Sequence, residues 1–281
     1  MTINELRSRG VRCLEDAGID DAATDAALLM EYTLKTDRNH ILAYGNDEVS
    51  DKQADDYDAL IKRRAEHVPL QYITGHQEFM GLDFEVCEDV LIPRLDTECL
   101  VEEAMIETED GMRVLDLCTG TGCIIISLAR YKNDLKAVGV DISGKAVEIA
   151  AGNAESNGVE VCFLQGDLYE ALDDHNSIYD AIISNPPYIA GAVIDTLMEE
   201  VRDHEPLIAL CGGEDGLEFY RRIIDGADSH LVPGGVILFE IGYDQGKAVS
   251  DMLREHGYRD VKVVKDLAGL DRVVKAHRPF L

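Results

Sequence analysis

The chain has 281 residues, 46% of them hydrophobic, which is enough apolar material for one large folded domain or two smaller ones. Asp and Glu outnumber Lys and Arg by 55 to 26, and a net charge of −29 repels the phosphate backbone that a nucleic-acid-binding protein has to neutralise. The sequence shows neither a signal peptide nor an apolar run of about 18 residues, so we expect a cytoplasmic protein that does not span a membrane.

Residues 1–68 are predicted to form a small domain of helices. Leu6, Cys13 and Leu14 recur at the spacing of one helix face. Ser50 and Gln53 match a capping box, in which each side chain bonds the backbone N–H of the other residue. A helix is therefore predicted to begin there and to run to about residue 66.

A change of period marks residues 69–93. Leu82, Phe84 and Val86 alternate with acidic residues, behind a turn at Met80 and Gly81. Such alternation is typical of a half-buried strand, so this segment is predicted to be a β-hairpin that joins two domains.

In residues 94–281, short apolar strands alternate with helices of crossover length. This order predicts an α/β domain on a parallel, doubly wound sheet with an antiparallel edge. The predicted strands cover 113–117, 137–141, 160–164, 179–183, 235–241, 259–265 and 271–276, and the predicted helices cover 96–107, 123–131, 143–157, 215–230 and 245–256.

The segment "VLDLCTGTGCIII" reads as a strand, a glycine-bearing turn and a helix. Gly120 and Gly122 let the backbone approach a ligand at the helix N-terminus. Asp141 ends the next strand, where a carboxylate accepts hydrogen bonds from ribose hydroxyls. Ile125 stands where a dinucleotide motif has its third glycine, so the pattern favours a nucleoside over a dinucleotide.

Two further carboxylates belong to the same predicted sheet edge. Asp116 is suited either to an ammonium group or to capping its own loop. Asp167 follows the third strand and either meets an adenine amino group, with Leu168 packed on the ring, or simply forms a turn. Ligands of open α/β sheets lie at the carboxyl ends of the strands, so the set predicts an adenosine with a charged tail, as in S-adenosylmethionine.

The fourth strand ends in Asn185-Pro186-Pro187-Tyr188. Proline fixes its own φ and keeps the preceding residue extended, so the carbonyls of this corner are held rigid. The Asn185 side-chain oxygen and the Pro186 carbonyl can accept both hydrogens of one planar NH2 group, with Tyr188 against its π face. In isolation such a corner is more often a strand-ending turn, but beside a nucleoside site it predicts methyl transfer to an amide or aromatic amine.

The chain resembles the HemK-type protein-glutamine N5-methyltransferases, and the likeness covers nearly the whole length. The segments that carry it are "PLQYITGHQEFMGLDFEV" (69–86), "VLIPRLDTE" (90–98), "LDLCTGTG" (115–122), "NPPYI" (185–189), "EPLIAL" (205–210), "GGEDGLEFYRRI" (212–223), "LVPGGVILFEIGYDQG" (231–246) and "KDLAGLDRVVKA" (265–276).

The resemblance implies a Rossmann-like, seven-stranded class I methyltransferase sheet over residues 94–281, with residues 1–68 helping to dock the substrate. The implied activity is methylation of the Gly-Gly-Gln glutamine of class I peptide chain release factors, by a monomer that uses S-adenosylmethionine, yields S-adenosylhomocysteine, and needs no metal. The implied catalytic residues are Asn185, Pro186 and Tyr188. These bind substrate together with Pro187, Arg94 and Thr97. The implied cofactor-binding residues are Asp116, Cys118, Thr119, Gly120, Thr121, Gly122, Asp141, Ile142, Asp167, Leu168 and Asn185.

Three positions depart from the family pattern. Cys118 stands where the family usually has glycine, which restricts the loop and places a thiol beside the cofactor. Leu95 replaces a proline, so that turn is expected to be less rigid. Leu168 occupies a position where some members have tryptophan, which weakens the expected stacking on adenine. None of the three removes a predicted catalytic group.

Other classes of protein could use the Asn185–Tyr188 corner or the glycine-bearing turn for a different function. An RNA or DNA amino-methyltransferase would use the corner on adenine or cytosine but needs a basic groove. A nicotinamide dehydrogenase needs the missing third glycine, and a nucleoside-binding adaptor would not need an intact Asn185. The acidity fits either a salty habitat or a basic protein partner. The seven cysteines have no CxxC pair or zinc-type spacing, so we expect no disulfide and no metal.

Overall fold

The computed structural model describes residues 1–172 and 177–280. These residues form two compact units, one of residues 1–76 with 198–204 and the other of residues 77–197 with 205–280. Among the described residues, no helix combines the length and the hydrophobicity that a membrane span requires.

The helices and strands are numbered in chain order. The helices are α1 (Ile3–Asp16), α2 (Ala22–Leu34), α3 (Arg38–Ala43), α4 (Asp51–Ala65), α5 (Leu70–Thr74), α6 (Leu95–Glu107), α7 (Cys123–Tyr131), α8 (Gly144–Ser156), α9 (Glu199–His204), α10 (Leu207–Leu210), α11 (Glu218–Ala227) and α12 (Gly246–Glu255). The strands are β1 (His76–Phe79), β2 (Leu82–Glu85), β3 (Arg113–Leu117), β4 (Lys136–Asp141), β5 (Cys162–Gln165), β6 (Tyr179–Ser184), β7 (Leu231–Glu240), β8 (Arg259–Lys265) and β9 (Asp271–His277). Short 3₁₀ helices cover Leu168–Ala171 and Gly191–Thr196.

The first unit is helical, as its pattern predicts. The capping box before α4 is confirmed, since the Gln53 amide donates to Ser50 Oγ at 3.3 Å and the Ser50 amide donates to Gln53 Oε1 at 3.0 Å. The buried Arg64 Nε donates to Asp25 Oδ2 at 2.7 Å, so the charge that this guanidinium brings into the core is paired.

The second unit contains a seven-stranded sheet in the order β5-β4-β3-β6-β7-β9-β8. Strands β3 to β7 are parallel, whereas β9 runs antiparallel to both β7 and β8, so the predicted mostly parallel sheet with an antiparallel edge is confirmed. In the ladder, Leu117 at the end of β3 pairs with Val140 and Ser184. The carboxyl ends of three strands therefore meet at one edge, where the strand order reverses between β3 and β6.

The predicted hairpin is formed by β1 and β2, with the turn at Met80 and Gly81. Its Phe84 is fully buried in the core of the second unit. The buried Asn153 of α8 accepts from the Glu85 amide at 2.7 Å and donates to the Glu85 carbonyl at 3.1 Å, as a neighbouring strand would. These bonds fasten the hairpin to α8.

Candidate active site

A cavity of about 190 Å³ lies at the carboxyl ends of β3, β4 and β6. It is concave and bordered by both apolar and polar groups, as small-molecule sites usually are. The predicted site residues that it brings together are Cys118, Gly120, Asp141, Ile142, Asp167, Leu168, Asn185 and Pro187. The predicted residues that do not line it are Arg94, Thr97, Asp116, Thr119, Thr121, Gly122, Pro186 and Tyr188.

The turn after β3 owes its shape to left-handed backbone. Gly120 and Gly122 have φ of 55° and 78°, and Cys118, with a φ of 61°, adopts the same region without being a glycine. A Cβ on Gly122 would lie 2.8 Å from Ile126 Cδ1, whereas a Cβ on Gly120 would meet nothing within 4 Å. Gly122 is therefore required for packing of the turn on α7, and Gly120 leaves open space beside the cavity.

Asp141 ties this turn to the end of β4. Its Oδ2 accepts from the Gly120 amide and its Oδ1 from the Ser143 amide, both at 2.9 Å. Burial raises the pKa of this carboxyl, although both backbone bonds favour its charged form. Each oxygen keeps a further lone pair, and the carboxylate borders the cavity where a sugar hydroxyl can reach it.

Asp116 lies behind the turn and is fully buried. The Thr119 hydroxyl donates to its Oδ2 at 2.5 Å, so this oxygen caps the residue's own loop, which is one of the two roles expected for Asp116. Its Oδ1 has no hydrogen-bond partner among residues 1–172 and 177–280. Burial raises the pKa of Asp116 to about 7, as expected for an acid shielded from water.

An ion pair between the segment after β5 and helix α11 is a feature of the site that the sequence pattern did not reveal. Arg222 on α11 borders the cavity and forms an ion pair with Asp167 at 2.8 Å. The Arg222 guanidinium also lies 5.7 Å from the ring centre of Phe219, which lines the cavity too. Leu168 is buried and has a φ of 52°. Segment 212–223 is one of those that carry the family resemblance, but Arg222 is distant in sequence from the strand ends that form the rest of the site.

The corner after β6 is positioned by side-chain hydrogen bonds. Asn185 Nδ2 donates to Thr97 Oγ1 at 3.3 Å, which leaves the amide oxygen as the branch available to a ligand. The Tyr188 hydroxyl donates to Glu240 Oε1 at 3.2 Å. Burial is the main reason that the pKa of Tyr188 is raised well above its ordinary value, so this phenol stays protonated and a hydrogen-bond donor.

Two glycines and a glutamine support the corner from behind. A Cβ on Gly212 would lie 2.6 Å from the Pro187 carbonyl oxygen, and a Cβ on Gly216 would collide with the Tyr188 carbonyl oxygen. Gln245 Nε2 donates to that same Tyr188 oxygen at 2.9 Å. The backbone of the corner is thus held from one side by close contact and a hydrogen bond, which limits its motion.

Glu240, at the end of β7, is the most deeply buried acid beside the corner, and sequence reasoning missed it. Its Oε1 accepts from the Tyr188 hydroxyl, and its Oε2 has no hydrogen-bond partner among residues 1–172 and 177–280. Burial raises its pKa to about 7, although the neighbouring Thr97 hydroxyl favours the charged form. The signal that could have revealed it is an acid that closes an otherwise apolar strand, "GGVILFE". Arg272 lies close enough to favour the charged form.

Arg94 and Leu95 lie at the start of α6 and do not border the cavity. The Arg94 guanidinium pairs with the buried carboxylate of Glu205. Leu95, which replaces the proline of the family pattern, is 72% exposed. The structure therefore places the predicted substrate residue Arg94 in an ion pair beside the site.

Comparisons with known proteins agree with this architecture. The family model described as the PrmC N-terminal domain matches residues 5–75, and the methyltransferase small domain matches residues 94–203. A release factor glutamine methyltransferase from Clostridium acetobutylicum is 39% identical over 99% of this chain and 99% of its own length. One from Geobacter sulfurreducens is 41% identical over 93% of this chain and 91% of its own length.

A solved methyltransferase from Pyrococcus furiosus shares the fold. It has a TM-score of 0.57 and 20% identity, covering 78% of this chain and 99% of that chain. The full-length curated relatives are similar enough to show the family to which the chain belongs. It is a member of the release factor glutamine methyltransferase family.

Proposed function

We propose that this protein transfers a methyl group from S-adenosylmethionine to the side-chain amide nitrogen of the Gly-Gly-Gln glutamine in class I peptide chain release factors. One observation supports the proposal most strongly: Cys118 and Gly120 of the glycine-bearing turn border the same cavity as Asn185 and Pro187 of the corner. A nucleoside held by the turn and an amide held by the corner would therefore meet without a large movement of the sheet.

The residues around the cavity fit S-adenosylmethionine. Asp141 offers acceptors to the ribose hydroxyls, and the buried Leu168 offers an apolar surface to adenine. Asp116, buried behind the turn, would favour the ammonium end of the molecule when ionised, because opposite charges stabilise each other. When bound, the cofactor would supply a methyl group attached to a sulfonium sulfur. The S–C bond to this methyl group would break as the N–C bond forms, and S-adenosylhomocysteine would be left.

The protein's own groups would activate a poor nucleophile. The glutamine nitrogen shares its lone pair with the neighbouring carbonyl, so it is planar and unreactive. The Asn185 side-chain oxygen and the Pro186 carbonyl would accept its two hydrogens, orient the lone pair, and stabilise the positive charge that develops on nitrogen. One of these protons then leaves to water, and no strong base is required.

Several further assignments are part of the same proposal. The division into residues 1–68, 69–93 and 94–281 is a functional one, in which the helical region helps to dock the release factor. Arg94 and Thr97 lie on the substrate side in this proposal. A monomer in the cytoplasm fits a substrate that is itself a translation factor.

Methyl transfer from labelled S-adenosylmethionine tests the proposal. The reaction contains a bacterial class I release factor purified without its glutamine methylation, ribosomal RNA, or both. Label should enter the release factor and disappear when its Gly-Gly-Gln glutamine is replaced by glutamate. Label found in RNA alone would assign the site to amino-methylation of a base.

A further inference from the structure

A chain of polar groups leads inward from Asn185. Its Nδ2 donates to Thr97 Oγ1 at 3.3 Å. The Thr97 hydroxyl in turn favours the charged form of the Glu240 carboxylate, whose Oε2 has no hydrogen-bond partner among residues 1–172 and 177–280. Both Thr97 and Glu240 are buried, so water does not compete freely for these groups. The three residues come from the end of β6, the first turn of α6 and the end of β7.

The direction of each bond in this chain follows from donor and acceptor chemistry. A hydroxyl favours the charged form of a neighbouring carboxylate by donating to it, so the single hydroxyl proton of Thr97 is assigned to Glu240. The Thr97 oxygen then has only lone pairs left, so it can only accept a hydrogen bond, and the group of Asn185 that donates to it is the NH2. The carbonyl branch of Asn185 is consequently presented to the substrate.

We propose that Glu240 is a positioning residue for methyl transfer: through Thr97 it sets which end of the Asn185 amide faces the target glutamine. The proposal rests on the function proposed above, because only an incoming NH2 group requires an acceptor at this place. Glu240 does not border the cavity and acts through Thr97. It also accepts from the Tyr188 hydroxyl at 3.2 Å, so the same carboxylate holds two parts of the corner.

A neutral group in place of the carboxylate reverses this logic. A glutamine amide or a carboxylic acid can donate to the Thr97 oxygen, which frees the Thr97 proton to bond the Asn185 oxygen. The Asn185 amide would then present its NH2 to the substrate NH2, and two donors would face each other. Binding of the target glutamine in a reactive geometry would be lost while the cofactor half of the cavity is unchanged.

Protonation of Glu240 should have the same effect as this substitution. Burial raises its pKa to about 7, so we expect the turnover number to increase as pH rises through neutrality. Other charged and titratable groups on the surrounding elements also act on Glu240. They are Tyr188, Tyr220, Cys123, Asp96 and Arg272. Arg272 itself pairs with Asp96 and Asp266. Asp116 also has a pKa of about 7 but lies at the cofactor turn, so rates are compared at saturating S-adenosylmethionine.

The test compares wild type with Glu240→Gln, using a class I release factor as methyl acceptor. The variant should lose about 10- to 100-fold in turnover number at pH 8, the range for a misplaced reacting group, with an unchanged KM for S-adenosylmethionine. Its turnover should also become independent of pH between 6 and 8.5. The matched control is Glu103→Gln on the same helix as Thr97, where the carboxylate pairs with Lys275 at 2.5 Å, and it should keep the wild-type rate and pH profile.

Variants of Thr97 keep the test decisive if Glu240→Gln does not fold. Thr97→Val preserves the shape and removes the hydroxyl, so it should lose turnover as Glu240→Gln does, whereas Thr97→Ser should restore it. Equal rates for Val and Ser, or a Glu240→Gln variant with the wild-type rate and pH profile, would overturn the proposal. Failure of the wild-type protein to methylate the release factor would instead overturn the proposed function.

Discussion

Replacing Glu240 by glutamine should make the protein more stable at alkaline pH even though it impairs catalysis. Burial raises the pKa of Glu240 from 4.5 to about 7. Between these values the folded protein holds a proton that the unfolded chain has released, so this residue lowers the free energy of unfolding as pH rises, and the loss is complete above pH 7. At about 1.4 kcal/mol per pKa unit, the total cost is about 3 kcal/mol.

The assay is urea unfolding of wild type and Glu240→Gln at pH 5 and at pH 8.5. Glutamine does not titrate, so the free energy of unfolding of the variant, relative to wild type, should increase by about 2–3 kcal/mol between the two pH values. The elevated pKa of Asp116 affects both proteins equally and cancels in this difference. Glu103→Gln, which breaks an ion pair with Lys275, should show no such increase.

A relative stability that does not change between pH 5 and 8.5 would show that the pKa of Glu240 in the folded protein is not raised. It would mean that Thr97, Tyr188 and Arg272 compensate fully for the burial of the charge. Glu240 would then be an ordinary carboxylate at neutral pH, and its substitution could not produce a pH-independent enzyme. The kinetic and thermodynamic experiments thus test the same property of one residue by separate measurements.

Three further predictions concern other parts of the site. Asn185→Ala should reduce turnover by about 100-fold or more, measured as methyl incorporation, while its melting temperature stays near that of wild type. Gly216→Ala should lower the free energy of unfolding by about 1–3 kcal/mol and impair turnover, because φ is 74° and the new Cβ meets the backbone of the corner. The control is Gly152→Ala in α8, which has open space around it and should be neutral or stabilising. Arg222→Ala should weaken S-adenosylmethionine binding by up to about fivefold in calorimetry, the limit for a half-exposed ion pair, whereas the neighbouring Arg221→Ala should not.

Each of these has a result that would contradict it. Near-normal turnover of the asparagine variant would remove the proposed grip on the amide. Equal stability of the two glycine variants would show that the corner can move away from the new methyl group. Equal cofactor affinity of the two arginine variants would show that the ion pair at the end of β5 plays no part in shaping the cavity.

The strands of the sheet could be predicted because each is a short apolar run between turn-forming residues. The parallel order then brought strand ends such as Cys118, Asp141 and Asn185 to one edge, as expected for an open α/β sheet. Gly120 lies in the glycine-bearing turn that the pattern predicts, and it borders the cavity.

Contacts made between distant segments could not be predicted from local pattern. The helix predicted at 215–230 begins later, at Glu218, because Gly216 has a left-handed backbone and packs against the corner. Strand β7 begins at Leu231, earlier than predicted, and includes Pro233, whose region carries a register shift against β6. Segment 198–204, which joins the first unit, gives no local sign of this return.

Glu240 shows the same limit at the level of the site. A single acid at the end of an apolar strand could be a solvated strand terminus as easily as a buried group. Its meaning depends on Thr97 and Tyr188, which lie far from it in sequence and reach it only through the fold. Contacts between residues that are distant in sequence arise only when the chain folds, so the local pattern does not reveal them.

The most direct measurement of the central claim is a crystal structure with S-adenosylhomocysteine and a peptide containing the Gly-Gly-Gln glutamine. The glutamine amide nitrogen should lie about 3 Å from both the Asn185 side-chain oxygen and the Pro186 carbonyl oxygen, and should face the sulfur. A glutamine bound elsewhere, or an Asn185 amide that offers its NH2 to the peptide, would contradict the account.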